Sequence, residues 1–227
     1  MNTNRTLCFA KLLVFALATI HAHHSLGQPQ SRNSSNIVAD SVAEFSSAQG
    51  QHGWQYGYWN RSSDADGEYN QSFDFRRLKS FGKDPRNGLS GHSAFNLGEV
   101  WLLEDGRFYT SLWAKGGHPN SSQKLGGYEA AEQWPVRRWV SDTSGVVTIS
   151  GNAGKVMPWG ANWGGACRAI IVVDGKTVLS TVMDEQGIDY SVAVKIRRKS
   201  IIDFLIAPDP SVGVVTFTAK LHRRPTN

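Results

Sequence analysis

The sequence has almost no cysteine: two residues in 227, Cys8 and Cys167. Cys8 falls in the segment read below as a leader, so no internal disulfide is available and stability must come from packing. Extended helical periodicity is also lacking, which excludes a helix bundle and an alternating α/β layout. Beyond one N-terminal run there is no apolar stretch of transmembrane length. Charge of one sign is scarce. The 24 Lys and Arg stand against 19 Asp and Glu, a net +5. The basic residues come in pairs, such as Arg76-Arg77 and Arg137-Arg138, and in the short cluster Arg197-Arg198-Lys199, not in a long run. That is too mild a balance to argue for a nucleic-acid partner. The motifs G-x-S-x-G, H-E-x-x-H and a phosphate-cradling glycine loop are all missing, as is the Glu-x-Asp-x-x-Glu strand of many sandwich glycosidases.

What is present begins with export. Arg5 and Lys11 precede the apolar run Leu12 to Ile20, a positive n-region and an h-region too short to span a bilayer. Residues 1–27 read as a signal peptide, cleaved after Gly27 or, as a rival, after Ala22. Cys8 precedes the apolar run, which argues against a lipoprotein signal. Removing residues 1–27 takes away two of the 24 basic residues and none of the 19 acidic ones, leaving +3. Residues 28–43, rich in Gln, Ser and Asn, read as a flexible lead-in. Residues 44–227 are expected to form one domain, secreted or periplasmic, with no membrane span.

That domain reads as strands. Trp134–Gly151 gives two alternating segments around the polar turn Asp142-Thr143-Ser144-Gly145, expected to pair as a hairpin. Trp54, Tyr56 and Tyr58 alternate in another segment, and Ser72–Phe75 reads as a short strand. Gly98–Leu103 and Phe108–Trp113 flank the turn Glu104–Arg107. Ala166–Val173 and Lys176–Met183 flank Asp174-Gly175, a strong hairpin signal. Ile188–Ile196, Ser200–Ala207 and a last strand through Val215, Phe217, Ala219 and Leu221 complete about ten strands. The fold class expected is all-β, a single antiparallel two-sheet β-sandwich of jelly-roll type. Trp54, Trp101 and Trp139 are assigned to its core. Cys167, in Ala166-Cys167-Arg168-Ala169-Ile170, is read as a buried small hydrophobe.

Taken together, Gln49-Gly50 with Trp54-x-Tyr56-Gly57-Tyr58, then Val136-Arg137-Arg138-Trp139, Val173-Asp174-Gly175, Ile202-Asp203-Phe204 and Thr216-Phe217 resemble a largely uncharacterised family of bacterial secreted β-sandwich domains. The resemblance covers roughly residues 44–222 and implies a fold similar to the jelly rolls of non-catalytic carbohydrate-binding modules. Two aspartate positions of that family are occupied here by Trp163-Gly164-Gly165-Ala166 and by Val214-Val215, so a ligand or metal site built on them is lost.

Binding residues are sought among aromatics, since sugar rings stack their C–H faces on exposed rings while their hydroxyls take fixed polar partners. Trp159, Asn162 and Trp163, in a Gly/Pro-containing loop, are the first candidates. Trp113 with His118, and Tyr58 with Trp59, are secondary ones. Arg137 and Arg138 face opposite sides of one strand, and a buried guanidinium needs a carboxylate partner. Asp203 and Glu99 are the carboxylates available, and Arg138–Asp203 is the structural ion pair expected. Asp64, Asp66 and Glu68 form the one spacing that would suit Ca²⁺; no other cofactor is implied. The functional reading is a secreted, non-catalytic module binding a polysaccharide or another cell-surface polymer. The alternatives are a polysaccharide-cleaving enzyme, which would use Tyr109, Tyr128, His92 or His118, and a structural envelope protein.

Overall fold

The computed structural model describes residues 36–83, 98–103, 107–125, 127–156 and 165–224. Its strands are β1 (Ile37–Asp40), β2 (Trp54–Asn60), β3 (Arg76–Arg77), β4 (Ser80–Lys83), β5 (Glu99–Leu102), β6 (Ser111–Trp113), β7 (Gly116–His118), β8 (Gln133–Val140), β9 (Gly145–Lys155), β10 (Cys167–Val173), β11 (Lys176–Met183), β12 (Ile188–Ile196), β13 (Ile201–Pro208), β14 (Val215–Phe217) and β15 (Lys220–Arg223). They form two sheets in which every pairing is antiparallel. One has the order β11-β10-β13-β8-β2-β3. The other runs β1-β15-β9-β14-β7-β6-β5-β4, with β12 on the free side of β9. The architecture is an all-β sandwich.

The core lies between the layers. Trp54, Tyr56, Trp139, Ile202, Phe204 and Ile206 face it from the first sheet. Ile149, Val194, Val215, Phe217 and Leu221 face it from the second. Each residue alternates with an outward neighbour, so the period of two places one face of every strand inside. Burial of this kind stabilises by about 25 cal/mol per Å² of apolar surface. Gly116 is required by close approach: a Cβ there would run into the Val215 carbonyl on β14.

Three expectations are corrected. Trp134–Gly151 is not a hairpin. β8 pairs with β2 and β13, while β9 pairs with β12, β14 and β15 in the other sheet. The chain crosses between layers at residues 141–144, pinned where Ser141 N donates to Ser200 O and Lys199 N to Ser141 O. Alternation cannot tell a hairpin from such an arch, because Trp139 and Ile149 bury equally well whether beside or opposite each other. The lead-in is shorter than 28–43. β1 pairs with β15, and Ala39 is fully buried, so the sheet begins at Ile37. Ser72–Phe75 is a turn and not a strand, for a reason that belongs to the site.

Cys167 is buried, its Sγ lying 3.8 Å from Gly213 O. Burial pushes its thiol up to about 12. The thiolate is the reactive form, so a maleimide at pH 7.5 should leave native protein unlabelled at this position and label it in 6 M guanidinium chloride. Rapid labelling of folded protein at Cys167 would contradict the packing described.

Candidate functional site

Residues 61–78 leave β2 and fold back across the outer face of the first sheet as a strap. The reason lies in the sheet. Trp59, Val136, Val172 and Leu205 make that face apolar, and Tyr69, Phe75 and Trp134 pack on it. Beneath the strap, two oppositely charged residues sit side by side in register, Arg138 on β8 and Asp203 on β13. Arg138 Nε donates to Asp203 Oδ1 and Nη2 to Oδ2, both at 2.8 Å. The strap closes the pair: Tyr69 OH donates to Asp203 Oδ2 at 2.7 Å, and Arg138 Nη2 donates to Gln71 O at 2.6 Å. The Phe75 ring centre lies 4.0 Å from the guanidinium carbon, a cation–π contact. Burial acts against the Arg138 charge, but the hydrogen bonds and attraction from Asp203 outweigh it and hold its pKa above the ordinary range. Burial, followed by the Asp203 charge, pushes the Tyr69 phenol far above its usual value.

The apex of the strap is the turn Asn70–Asp74. Asn70 N donates to Asp74 Oδ2 at 2.6 Å, Ser72 N to Asn70 Oδ1 at 2.9 Å, and Asp74 N to Asn70 O at 2.9 Å. Side-chain oxygens thus satisfy the backbone locally, as Asx turns do. This local bonding is why the segment is not a strand. Phe75 goes inward to Arg138, and Phe73, on the turn, is 82% exposed. A cleft of about 390 Å³ adjoins the apex, between Asn70 and Ser72 on one side and Asp174, Arg197 and Lys199 on the other. Gln71 ties the two walls together: its Nε2 donates to Val172 O at 3.2 Å, and its Oε1 accepts from Gly175 N. The left-handed φ values of Asp174 (47°) and Gly175 (82°) form the tight β10–β11 turn that this contact holds.

The binding residues expected from sequence are placed elsewhere. Trp59 is buried, with Nε1 donating to Asp64 Oδ2 at 2.8 Å and Trp134 edge-on at 4.7 Å. Trp113 is buried against Val100 and Leu102. His118 is buried under Tyr109, the rings stacked at 4.6 Å. These three offer no ring face to a ligand and are withdrawn as contact residues. Tyr58 is half-buried against the core. Trp159, Asn162 and Trp163 lie outside the described residues. The ends of their connection are held by Val156 N to Val214 O and Gly165 N to Val212 O. Those ends flank a second hollow of about 320 Å³ lined by Lys155, Ala166, Met183 and Asp184. It lies at the opposite end of β10 from the Asp174 cleft.

Tyr109, His118 and Tyr128 are brought together, with Tyr109 and Tyr128 ring centres 3.8 Å apart. His118 stacks on Tyr109 while the Tyr128 ring is tilted against it, and His118 Nδ1 is 2.6 Å from the Pro119 carbonyl. An acid–base pair would instead present ring nitrogen and phenol oxygen to a substrate. The acidic loop does not gather ligands for Ca²⁺. Asp64 is committed to Trp59, Asp66 Oδ1 accepts from Glu68 N, and among the described residues no three His, Cys, Asp or Glu converge as a metal site. No helix among the described residues is long and apolar enough to cross a membrane.

No family model matches the chain, and no curated protein matches it. Solved structures show partial likenesses. A family 35 carbohydrate-binding module from Clostridium thermocellum aligns with TM-score 0.30 and 11% identity over 45% of this chain and 85% of that one. The CBM51-2 and INT domains of Clostridium perfringens ZmpB, solved with GlcNAc, align with TM-score 0.30 and 17% identity over 55% and 25%. An exo-beta-1,3-galactanase from Phanerochaete chrysosporium aligns with TM-score 0.28 and 9% identity over 55% and 32%. At such TM-scores these overlaps carry no function across.

Proposed function

We propose that the protein is an exported, non-catalytic module that binds carbohydrate of an extracellular or cell-surface polymer. The observation that supports this most directly is Phe73, 82% exposed on a turn locked by hydrogen bonds, whose neighbours Asn70, Gln71 and Ser72 line a cleft shared with Arg197 and Lys199. Exposing a large ring on an otherwise ordered turn costs apolar hydration. It gains where a flat, partly apolar ligand covers it. Sugars have that character, with C–H faces for the ring and hydroxyls for the amide and hydroxyl groups around it. Rigidity favours binding, since little side-chain or loop entropy is left to lose.

Trp159, Asn162 and Trp163 are proposed as a second contact set. Five of the six tryptophans among the described residues are buried, and the sixth, Trp134, packs on Trp59. Phe73 and the two tryptophans of the 157–164 connection are accordingly proposed as the aromatic contacts, with half-buried Tyr58 as a further candidate.

The test is retention in native gels cast with soluble polysaccharides. Phe73→Ala should lower affinity about tenfold, the effect of losing one stacking contact, with no fall in melting temperature. Trp159→Ala and Trp163→Ala should weaken retention as well. Unchanged retention in all three variants would reject both contact sets. A parallel assay for released reducing ends separates binding from cleavage, and sustained release would replace this reading with the enzymatic one.

A further inference from the structure

Building on the saccharide-binding reading, we infer that the cleft beside Phe73 is selective for anionic sugars, with Arg197 and Lys199 engaging a carboxylate or sulfate group of the ligand. The charges in the lining are two cations against one carboxylate, Asp174. That carboxylate is already committed: Oδ1 accepts from Ile201 N at 2.9 Å and Oδ2 from Ser200 Oγ at 2.7 Å. The side chains of Arg197 and Lys199 are exposed, and neither takes part in an ion pair among the described residues. No carboxylate among the described residues pairs with them, and a ligand would supply the acceptors. Charge-assisted bonds of this sort are the strong ones in polar recognition.

The turn that carries the cations is fixed. Arg197 N donates to Ser200 Oγ and Ser200 N to Arg197 O, both at 2.9 Å, while Lys199 N donates to Ser141 O at 2.7 Å. Lys199 adopts φ 71°, in the left-handed region. Glycine is at ease there, and a residue with a Cβ is not. A lysine kept in a conformation that disfavours it is a sign that its ammonium is wanted at that place. Across the cleft, the Asn70 and Ser72 side chains supply neutral hydrogen-bonding groups for sugar hydroxyls. The volume, about 390 Å³, lies within the roughly 300–1,000 Å³ common for small-ligand sites. A nucleic acid would share the negative charge, but a short cleft with two cations is a poor match for a long phosphate track.

The test compares the full protein on dextran, dextran sulfate, polygalacturonate and alginate, with single-stranded DNA as a further anion, at 50 and 500 mM NaCl. Retention should be at least about tenfold stronger on a charged polysaccharide than on dextran, and weaker at high salt. Arg197→Gln with Lys199→Gly should remove that preference. The glycine relieves the left-handed residue, so melting temperature should not fall and lost retention is not lost folding. Lys115→Gln with Lys124→Gln removes the same charge elsewhere and should leave retention intact. Competition by methyl glucuronide and by sodium sulfate distinguishes the two anionic groups. Equal loss in both double variants, no loss in the first, or tighter binding of single-stranded DNA would each overturn the inference. Retention on dextran alone would overturn it while leaving the saccharide reading standing. No retention on any polysaccharide would end both.

Discussion

Asp203→Ala is expected to cost about 3–5 kcal/mol, because it leaves a guanidinium buried without its counter-charge. In a domain of this size that is a fall in melting temperature of very roughly 6–20 °C. The figure is large because nothing else can take over. Asp203 is fully buried, Arg138 is 8% exposed, and the strap seals both from water. The remaining partners of the Arg138 fork are the Gln71 carbonyl and, at 3.3 Å, the Tyr69 hydroxyl, both neutral acceptors. Arg138→Ala should be about as severe, stranding the carboxylate with only the Tyr69 hydroxyl. Tyr69→Phe removes one hydrogen bond to a charged group and should cost about 1.5–3 kcal/mol. Replacing both partners together, Arg138→Met with Asp203→Leu, should recover most of the loss, since an apolar pair owes no desolvation. Chemical denaturation of the four variants checks the series. A cost below 1 kcal/mol for Asp203→Ala would show the pair to be solvated.

Arg137→Ala is expected to destabilise by a similar amount, about 3–5 kcal/mol, for a different reason. Arg137 is 3% exposed, faces the core and makes no ion pair among the described residues. Its Nη2 donates to Trp113 O at 2.6 Å and Ala114 O at 3.2 Å, and its Nη1 to Phe217 O at 3.3 Å. Its Nε has no partner. Burial pulls the guanidinium down to about 10, which still leaves it charged at neutral pH. The side chain therefore rivets the first sheet to backbone carbonyls of the second. Truncation would leave a cavity and orphan those carbonyls, each worth about 1–3 kcal/mol when unsatisfied. Arg137→Met fills the cavity and removes the desolvated charge, so it should restore part of the loss but not all. A variant with alanine within 1 kcal/mol of the parent would mean that water reaches those carbonyls.

The two arginines show where sequence reading succeeds and where it stops. Their opposite directions follow from strand alternation, and so does the demand for a carboxylate. The expected pair of Arg138 with Asp203 is present; that it lies on the outer face does not follow from sequence, because the outer face of a sheet is buried only if something lies over it. Here that something is residues 61–78, whose first part has loop composition and whose short alternation at Ser72–Phe75 marks no landing place. The same blindness hid Phe73. Ser72-Phe73-Asp74-Phe75 alternates like a strand, and only the spacing of Asn70 and Asp74 hints at a locally bonded turn. Trp59, Trp113 and His118 failed as contact residues because an aromatic beside a loop can be drawn into a satellite core. The two-layer antiparallel fold was legible because each long strand carries its own alternation. The arch between β8 and β9 was not, since pairing partners distant in sequence leave no local trace.

β1 is an edge strand whose one partner among the described residues is β15. The first described strand to be synthesised must therefore wait for the last described one before it can bond. Until residues 220–223 are available, one edge of β9 also stays open over Val147–Ser150, while β12 lies along the other. The sheet cannot be finished piecemeal from the N-terminus, so completion of the second layer is a late event governed by long-range encounter, and loss of β15 would at once leave β1 without its partner and one edge of β9 open.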